Sequence, residues 1–351
     1  MTLSPVFRSQ AAVELLQQSG IWEILRPAMA DQARAVDVLY DDLPEVLDSR
    51  FIELPAQRAA QRAESIEFLQ EFFFLILFRS LFESLGFAPA RLPFYSELNF
   101  CIKGTITAAD NLFDDQEKSL LPLRRHTGAR FMSILQLMSF ERLIRRTCDR
   151  AEKAGSITPE QTQAVLRGLL SMMASIGELE GSEEKGVAES LGPQEMIEKV
   201  HRVRGGALFA LSFVAPRILE TGEAAAKVAI AEEAIARLGT AFQIVDDLTD
   251  FEFDLTRHSH NLLVAQIRAT GTQEEKALLE RLWQGEPPTA NMVETTFAAS
   301  ARAVLQYAYD ESRMAFDQLA SIGFWFPPEL SNEVVHAIVG LEGVSRMDAI
   351  R

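Results

Sequence analysis

The chain is short of positive charge. It carries 34 Lys and Arg against 50 Asp and Glu, a formal net charge of -16. That balance disfavours nucleic acid, whose phosphates need a basic surface. It still allows a small anionic ligand, held by a local Arg or Lys cluster or by a bound cation. Cysteine is nearly absent. Cys101 and Cys148 form neither a disulfide framework nor a zinc spacing, so a reducing cytoplasm is the expected compartment. Long apolar runs are also missing. The longest, Phe72 to Phe78, falls far short of the roughly 20 residues a bilayer span needs, and it predicts a buried helix turn instead. The N-terminus lacks the basic start and apolar core of a signal peptide. No Walker loop, dinucleotide glycine fingerprint or Ser/His/Asp set stands out.

Helix breakers are sparse, with 19 Gly and 14 Pro in 351 residues. Apolar residues recur at three- and four-residue spacing through Ala11–Met29, Ile66–Gly86, about 96–116, Ala129–Gly155 and Thr158–Gly181. Gly86 and Gly155 carry C-cap signals. Thr158, with Pro159 and Glu160 behind it, carries an N-terminal one. Further helices are expected at about 194–221, 223–254, 273–284 and 290–321, with a last one from Pro328. No alternating pattern argues for a sheet and no fixed-period repeat for a solenoid. The expectation is one all-α domain over 1–351, with 1–90 as a peripheral helical part.

Two acidic clusters stand against this apolar background. "DNLFDD" places Asp110 and Asp114 four residues apart on one helix face, with Asp115 beside them. They close an apolar stretch, at the helix end where the dipole disfavours negative charge. "AFQIVDDLTDFEFD" repeats the design 136 residues on, with Asp246, Asp250 and Asp254 at four-residue steps and Asp247 alongside. Either cluster alone is a solvated helix end in an acidic protein. Both together, with no His or Cys among them, suit Mg²⁺. More than one such ion would clamp a diphosphate and neutralise it as a leaving group.

At this point the residues resemble a known family. From about Glu64 to Asn261 the pattern is similar to class I isoprenoid synthases, the trans-prenyl diphosphate synthases and related terpene cyclases. "DNLFDD" looks like their first aspartate-rich motif, with Asn111 where a second Asp is usual, and "AFQIVDDLTDFEFD" looks like the second. "VRGGALFALSF", Val203 to Phe213, resembles the prenyl synthases' stretch with Arg204 in a Lys position. The resemblance implies an all-α bundle around a central apolar cavity. It also implies an allylic prenyl diphosphate as substrate, with Mg²⁺ held by Asp110, Asp114, Asp115, Asp246, Asp250 and Asp254. Diphosphate would be held by Arg202, Arg204 and Arg257. Asp110, Asp114, Asp246 and Arg204 would be the catalytic set, and a homodimer is the usual assembly.

The departures bear on which reaction follows. Synthases that add isopentenyl diphosphate carry Gly-Gly-Lys-Arg where this chain has "LQEFFFL", and Arg-Arg-Gly after the first motif, where only Lys118, Arg124 and Arg125 lie near. Those cations hold the second diphosphate. Their loss favours cyclisation or elimination of the allylic cation, with chain elongation by a trans-prenyltransferase as the alternative. In the cyclase comparison, Arg202 or Arg204 is the diphosphate sensor.

Other features compete. Gly205-Gly206 is read as a helix break beside the substrate, against close helix packing. His258 and His260 read as a polar loop. The pairs Glu198/His201 and Glu333/His336 admit a di-iron helical bundle, and a non-catalytic helical partner subunit is a third class.

Overall fold

The computed structural model describes residues 10–113, 117–124, 128–183, 186–187, 191–338 and 341–350, the side chains of Ser331, 336–338 and 341–345 excepted. Among them there is no strand, only an isolated bridge between Ile52 and Leu123. No helix is long and apolar enough to cross a membrane. The chain divides into two compact units. One is built chiefly from Gln17–Arg167 and Val214–Ala226, the other from Gly168–Phe213 and Lys227–Arg351.

In the first unit, the helix Ile66–Ser84 starts on Ser65, whose side chain accepts from Phe68 N–H, and stops before Gly86 at φ 76°. Phe72 leaves helical geometry (φ -120°, ψ 18°), so the apolar run is buried but bent at its first residue. The first-motif helix is Leu92–Phe113. It packs chiefly on Ala129–Lys153, where Gly104 gives way to the Phe140 ring, which an added Cβ would meet at 2.0 Å. Thr158 caps the next helix through a reciprocal bond pair with Gln161.

In the second unit, a helical path runs from Pro193 to Phe213, and its middle, Ile197–Gly206, is wound as a π-helix. Gly206 has ordinary helical angles (φ -61°, ψ -47°), so the expected break at Gly205-Gly206 does not occur. The glycines serve close packing instead. A Cβ on Gly205 would lie 2.4 Å from the Gly239 carbonyl, and one on Gly239 would lie 2.2 Å from the Gly205 carbonyl. The helix expected at about 223–254 is two, Gly222–Thr249 and Phe251–Arg257, parted at Asp250. The helix expected at about 290–321 begins only at Ala298, after a turn holding Asn291 at φ 60°.

Sequence reasoning left out Leu262–Thr270. Its signal was present: Asn261 precedes the apolar "LLVAQI" and accepts from Leu263 N–H at 3.0 Å and Val264 N–H at 3.4 Å, an N-cap. The core of this unit gathers Ile244, Leu248, Phe251, Leu262, Phe297 and Val304, all fully buried.

Candidate active site

The second acidic cluster is built on the join between Gly222–Thr249 and Phe251–Arg257. Asp250 N–H donates to the Asp246 carbonyl at 2.8 Å, and Asp254 N–H to the Asp250 carbonyl at 2.9 Å. The four-residue register of the three aspartates therefore survives the break at Asp250. Asp250 is exposed, while Asp246 and Asp254 are half-buried. Asp246 accepts from Gln243 Nε2 at 3.2 Å.

Asp247 has a different task. It is buried, its Oδ2 lies 2.8 Å from His201 Nε2, and it accepts from Leu262 N–H. It ties the π-helix, the aspartate helix and the helix Leu262–Thr270 together. Asn261 completes the knot, donating to the Asp247 carbonyl at 2.7 Å and to Asp254 Oδ2 at 2.9 Å.

Burial drives the Asp254 carboxyl well above the usual range, and the charges of Asp247, Asp246 and Asp250 push the same way, against the Asn261 amide. Carboxylates crowded at unfavourable cost form a donor set that a hard divalent cation would relieve. No trio of His, Cys, Asp or Glu is already drawn together in ligating geometry among the described residues.

Arg204, expected on diphosphate, lies in the same unit but is engaged by carboxylates. Its Nε is 2.5 Å from Glu180 Oε1 and its Nη2 is 2.9 Å from Glu183 Oε1. Glu183 also meets His260 Nδ1 at 2.7 Å, and these partners hold its carboxyl below the usual range despite burial. Sequence reasoning did not single out Glu183, and His260 thus does more than occupy a polar loop. His258 stacks on Trp283 with ring centroids 4.4 Å apart. Arg202 reaches Glu233 and Glu311 at 3.7 and 3.9 Å. Arg257 is exposed, with its guanidinium over Phe253. In the di-iron rival, His201 is engaged by Asp247, Glu198 accepts from Gln194, and the His336 side chain lies outside the described residues.

The first motif lies in the first unit. Asp110 is exposed near the end of its helix, while Asp114, Asp115 and Arg125 lie outside the described residues. Asn111 points inward. Its Nδ2 donates to the Lys118 carbonyl at 2.7 Å and its Oδ1 accepts Lys118 N–H at 3.1 Å. A carboxylate could not make both bonds, which accounts for the departure from Asp at this position.

Beside Asn111 is a cavity of about 470 Å³, lined by Tyr40, Arg62, Glu71, Lys118, Ser119 and Gln136 among others. Arg62 pairs with Glu71 on its wall. Lys103, seven residues before Asp110 and so on the same face of the helix, donates to the Glu71 carbonyl at 2.8 Å and lies over Phe72. Burial lowers its ammonium pKa to about 8. A cation supplied by another helix thus reaches the "LQEFFFL" segment. Only the two-turn spacing to Asp110 hinted at it.

No protein-family model matches the chain, and no curated protein does. Solved structures do match. Decaprenyl diphosphate synthase from Rhodobacter capsulatus superposes with a TM-score of 0.60 at 17% identity, over 90% of this chain and 99% of that one. Geranylgeranyl pyrophosphate synthetase from Pyrococcus horikoshii gives 0.56 at 15%, over 94% and 99%. A polyprenyl synthetase from Streptomyces coelicolor gives 0.54 at 18%, over 93% and 99%. Over nearly its whole length, this chain has the all-α fold of these prenyl diphosphate synthases.

Proposed function

We propose that the protein is a Mg²⁺-dependent enzyme acting on an allylic prenyl diphosphate, and that it elongates this substrate with isopentenyl diphosphate. The aspartate register through Asp246, Asp250 and Asp254, kept by backbone hydrogen bonds across a helix break, is the observation that carries the metal-dependent reading. These three, with Asp110, Asp114 and Asp115, would hold the cations. Bound Mg²⁺ supplies charge neutralisation of the leaving diphosphate.

The chain's own residues have separable parts. Arg204, with Arg202 and Arg257, is the cation set for the diphosphate, and Arg204 must exchange Glu180 and Glu183 for it. Asp247, His201 and Asn261 orient the aspartate helix. Arg62 and Lys118 around one cavity, with Lys103 behind its wall, support a second anionic site despite the missing Gly-Gly-Lys-Arg and Arg-Arg-Gly. That observation, and the prenyl synthases of like fold, favour elongation over the cyclisation that motif counting suggests. Cyclisation or elimination remains the second reading, favoured by the carboxylate Glu71 on the cavity wall.

Incubation with geranyl, farnesyl and geranylgeranyl diphosphates in Mg²⁺, with and without isopentenyl diphosphate, tests the proposal. Longer diphosphates formed only with isopentenyl diphosphate are expected. Hydrocarbon or alcohol from an allylic substrate alone overturns elongation in favour of the second reading. No turnover, with stoichiometric iron in the purified protein, overturns both.

A further inference from the structure

The join at Asp250 presents a physical problem. A helix ends with carbonyls that lack intrahelical partners, and its negative end faces the cluster's own carboxylates. Thr249 closes Gly222–Thr249, and Asp250 has φ -100° and ψ 13°. Something must satisfy the last carbonyls and hold the two helices at one angle if three aspartates are to keep a common register.

One side chain does this from nearly a hundred residues away. Arg346, on the helix Leu341–Ile350, donates through Nη1 to the Leu248 carbonyl at 2.8 Å and the Thr249 carbonyl at 3.3 Å. Nη1 and Nη2 each donate to the Glu252 carboxylate at 3.0 Å, a forked pair on the following helix. Nε donates to Glu294 Oε1 at 2.8 Å, which anchors the guanidinium from a third direction. Every donor of the planar fork that reaches the join is used on one side of the break or the other. The side chain is 17% exposed.

We propose that Arg346 is a positioning residue for the second aspartate cluster. The C-terminal helix, through this guanidinium, sets the geometry in which Asp246, Asp250 and Asp254 receive metal and diphosphate. The inference rests on the metal-binding reading above. Arg346 touches no reacting atom. It acts by capping Leu248 and Thr249, by fixing Glu252, and by placing a positive charge at the negative end of the helix that bears Asp246. Lysine cannot replace it, since a single ammonium cannot span both helices.

Mn²⁺ binding in the presence of inorganic diphosphate, followed by electron paramagnetic resonance on the full chain, tests this without turnover. The variants are Arg346→Met, Arg346→Lys and Glu294→Gln, compared at a temperature where circular dichroism shows all of them folded. Arg346→Met is expected to weaken Mn²⁺ binding by about tenfold or more, in line with other outer-shell positions. Arg346→Lys should recover only part of it. Glu294→Gln, which leaves the carbonyl contacts in place, should lower the melting temperature and spare affinity. Unchanged Mn²⁺ affinity in folded Arg346→Met, with only a lower melting temperature, overturns the positioning role and leaves the metal site standing. Absence of Mn²⁺ binding in the unsubstituted protein overturns the metal reading, and the proposal with it.

Discussion

Asn111 and Lys118 hold each other by two hydrogen bonds, the Asn111 amide donating to the Lys118 carbonyl and accepting its N–H. Gln136 Nε2 adds a bond to the same carbonyl at 3.1 Å. An aspartate in place of Asn111 should therefore harm this chain. Asn111→Asp removes the donor and sets a carboxylate against a carbonyl, at a cost of about 1–3 kcal/mol. Urea unfolding is the measurement, with Asn111→Ala as a comparison that loses the bonds without adding charge.

Adjacent aspartates should behave oppositely. Asp247 is buried between His201 and Leu262 N–H, so Asp247→Ala strands two donors and should lower stability by about 2–3 kcal/mol. Asp246→Ala should leave the urea midpoint close to that of the parent and abolish turnover. Loss of stability in the Asp246 variant, or full turnover from it, would contradict its assignment as a ligand.

Asp254 gives a pH dependence with a defined sign. Its carboxyl is raised by burial and by its acidic neighbours, so the folded state holds that proton more tightly than the unfolded chain does. Its contribution to stability is present at low pH and is lost as pH rises through the folded value. The metal-free protein should thus lose stability as the pH rises above the ordinary carboxylate range toward the raised value, and Asp254→Asn should flatten that slope. Mg²⁺ with inorganic diphosphate should restore the parent's melting temperature at neutral pH and the variant's much less.

Lys103 has the opposite ionisation. Burial lowers it from 10.5 to about 8, so below that value the folded state bears a charge it solvates poorly. Stability should rise with pH across that interval, where the unfolded chain holds more protons. Lys103→Met should be more stable than the parent at neutral pH by about 1–3 kcal/mol, with the difference closing as the pH passes through the interval. It should also raise the KM for isopentenyl diphosphate if the neighbouring cavity takes that substrate.

Backbone contact at Gly205 leaves no room for a methyl group. Gly205→Ala would press Cβ onto the Gly239 carbonyl and Gln243 Cβ, and should cost about 1–3 kcal/mol or more in thermal unfolding. Gly206→Ala, whose nearest atoms stand at 3.1 Å, should cost less.

Local signals made much of this legible in one dimension. Apolar periodicity and scarce breakers determined an all-α chain. Thr158, Gly86 and Gly155 marked true helix ends, because capping is a contest among neighbours in sequence. The four-residue step of Asp246, Asp250 and Asp254 already implied one face, since helical hydrogen bonds have that reach. Asn261 also declared a helix start in sequence, which a reading of "RHSHN" as loop passed over.

Other features depended on residues distant in sequence, and only the tertiary structure decided them. Whether Gly205-Gly206 breaks a helix or packs one turns on Gly239, more than thirty residues on. Which of two adjacent aspartates is structural turns on His201 and Leu262. Whether the segment around Glu71 has a cation turns on Lys103, and what holds the join at Asp250 turns on Arg346. In each case the deciding partner is fixed by packing of apolar faces that carry no sequence label for one another, so spacing along the chain cannot reveal it.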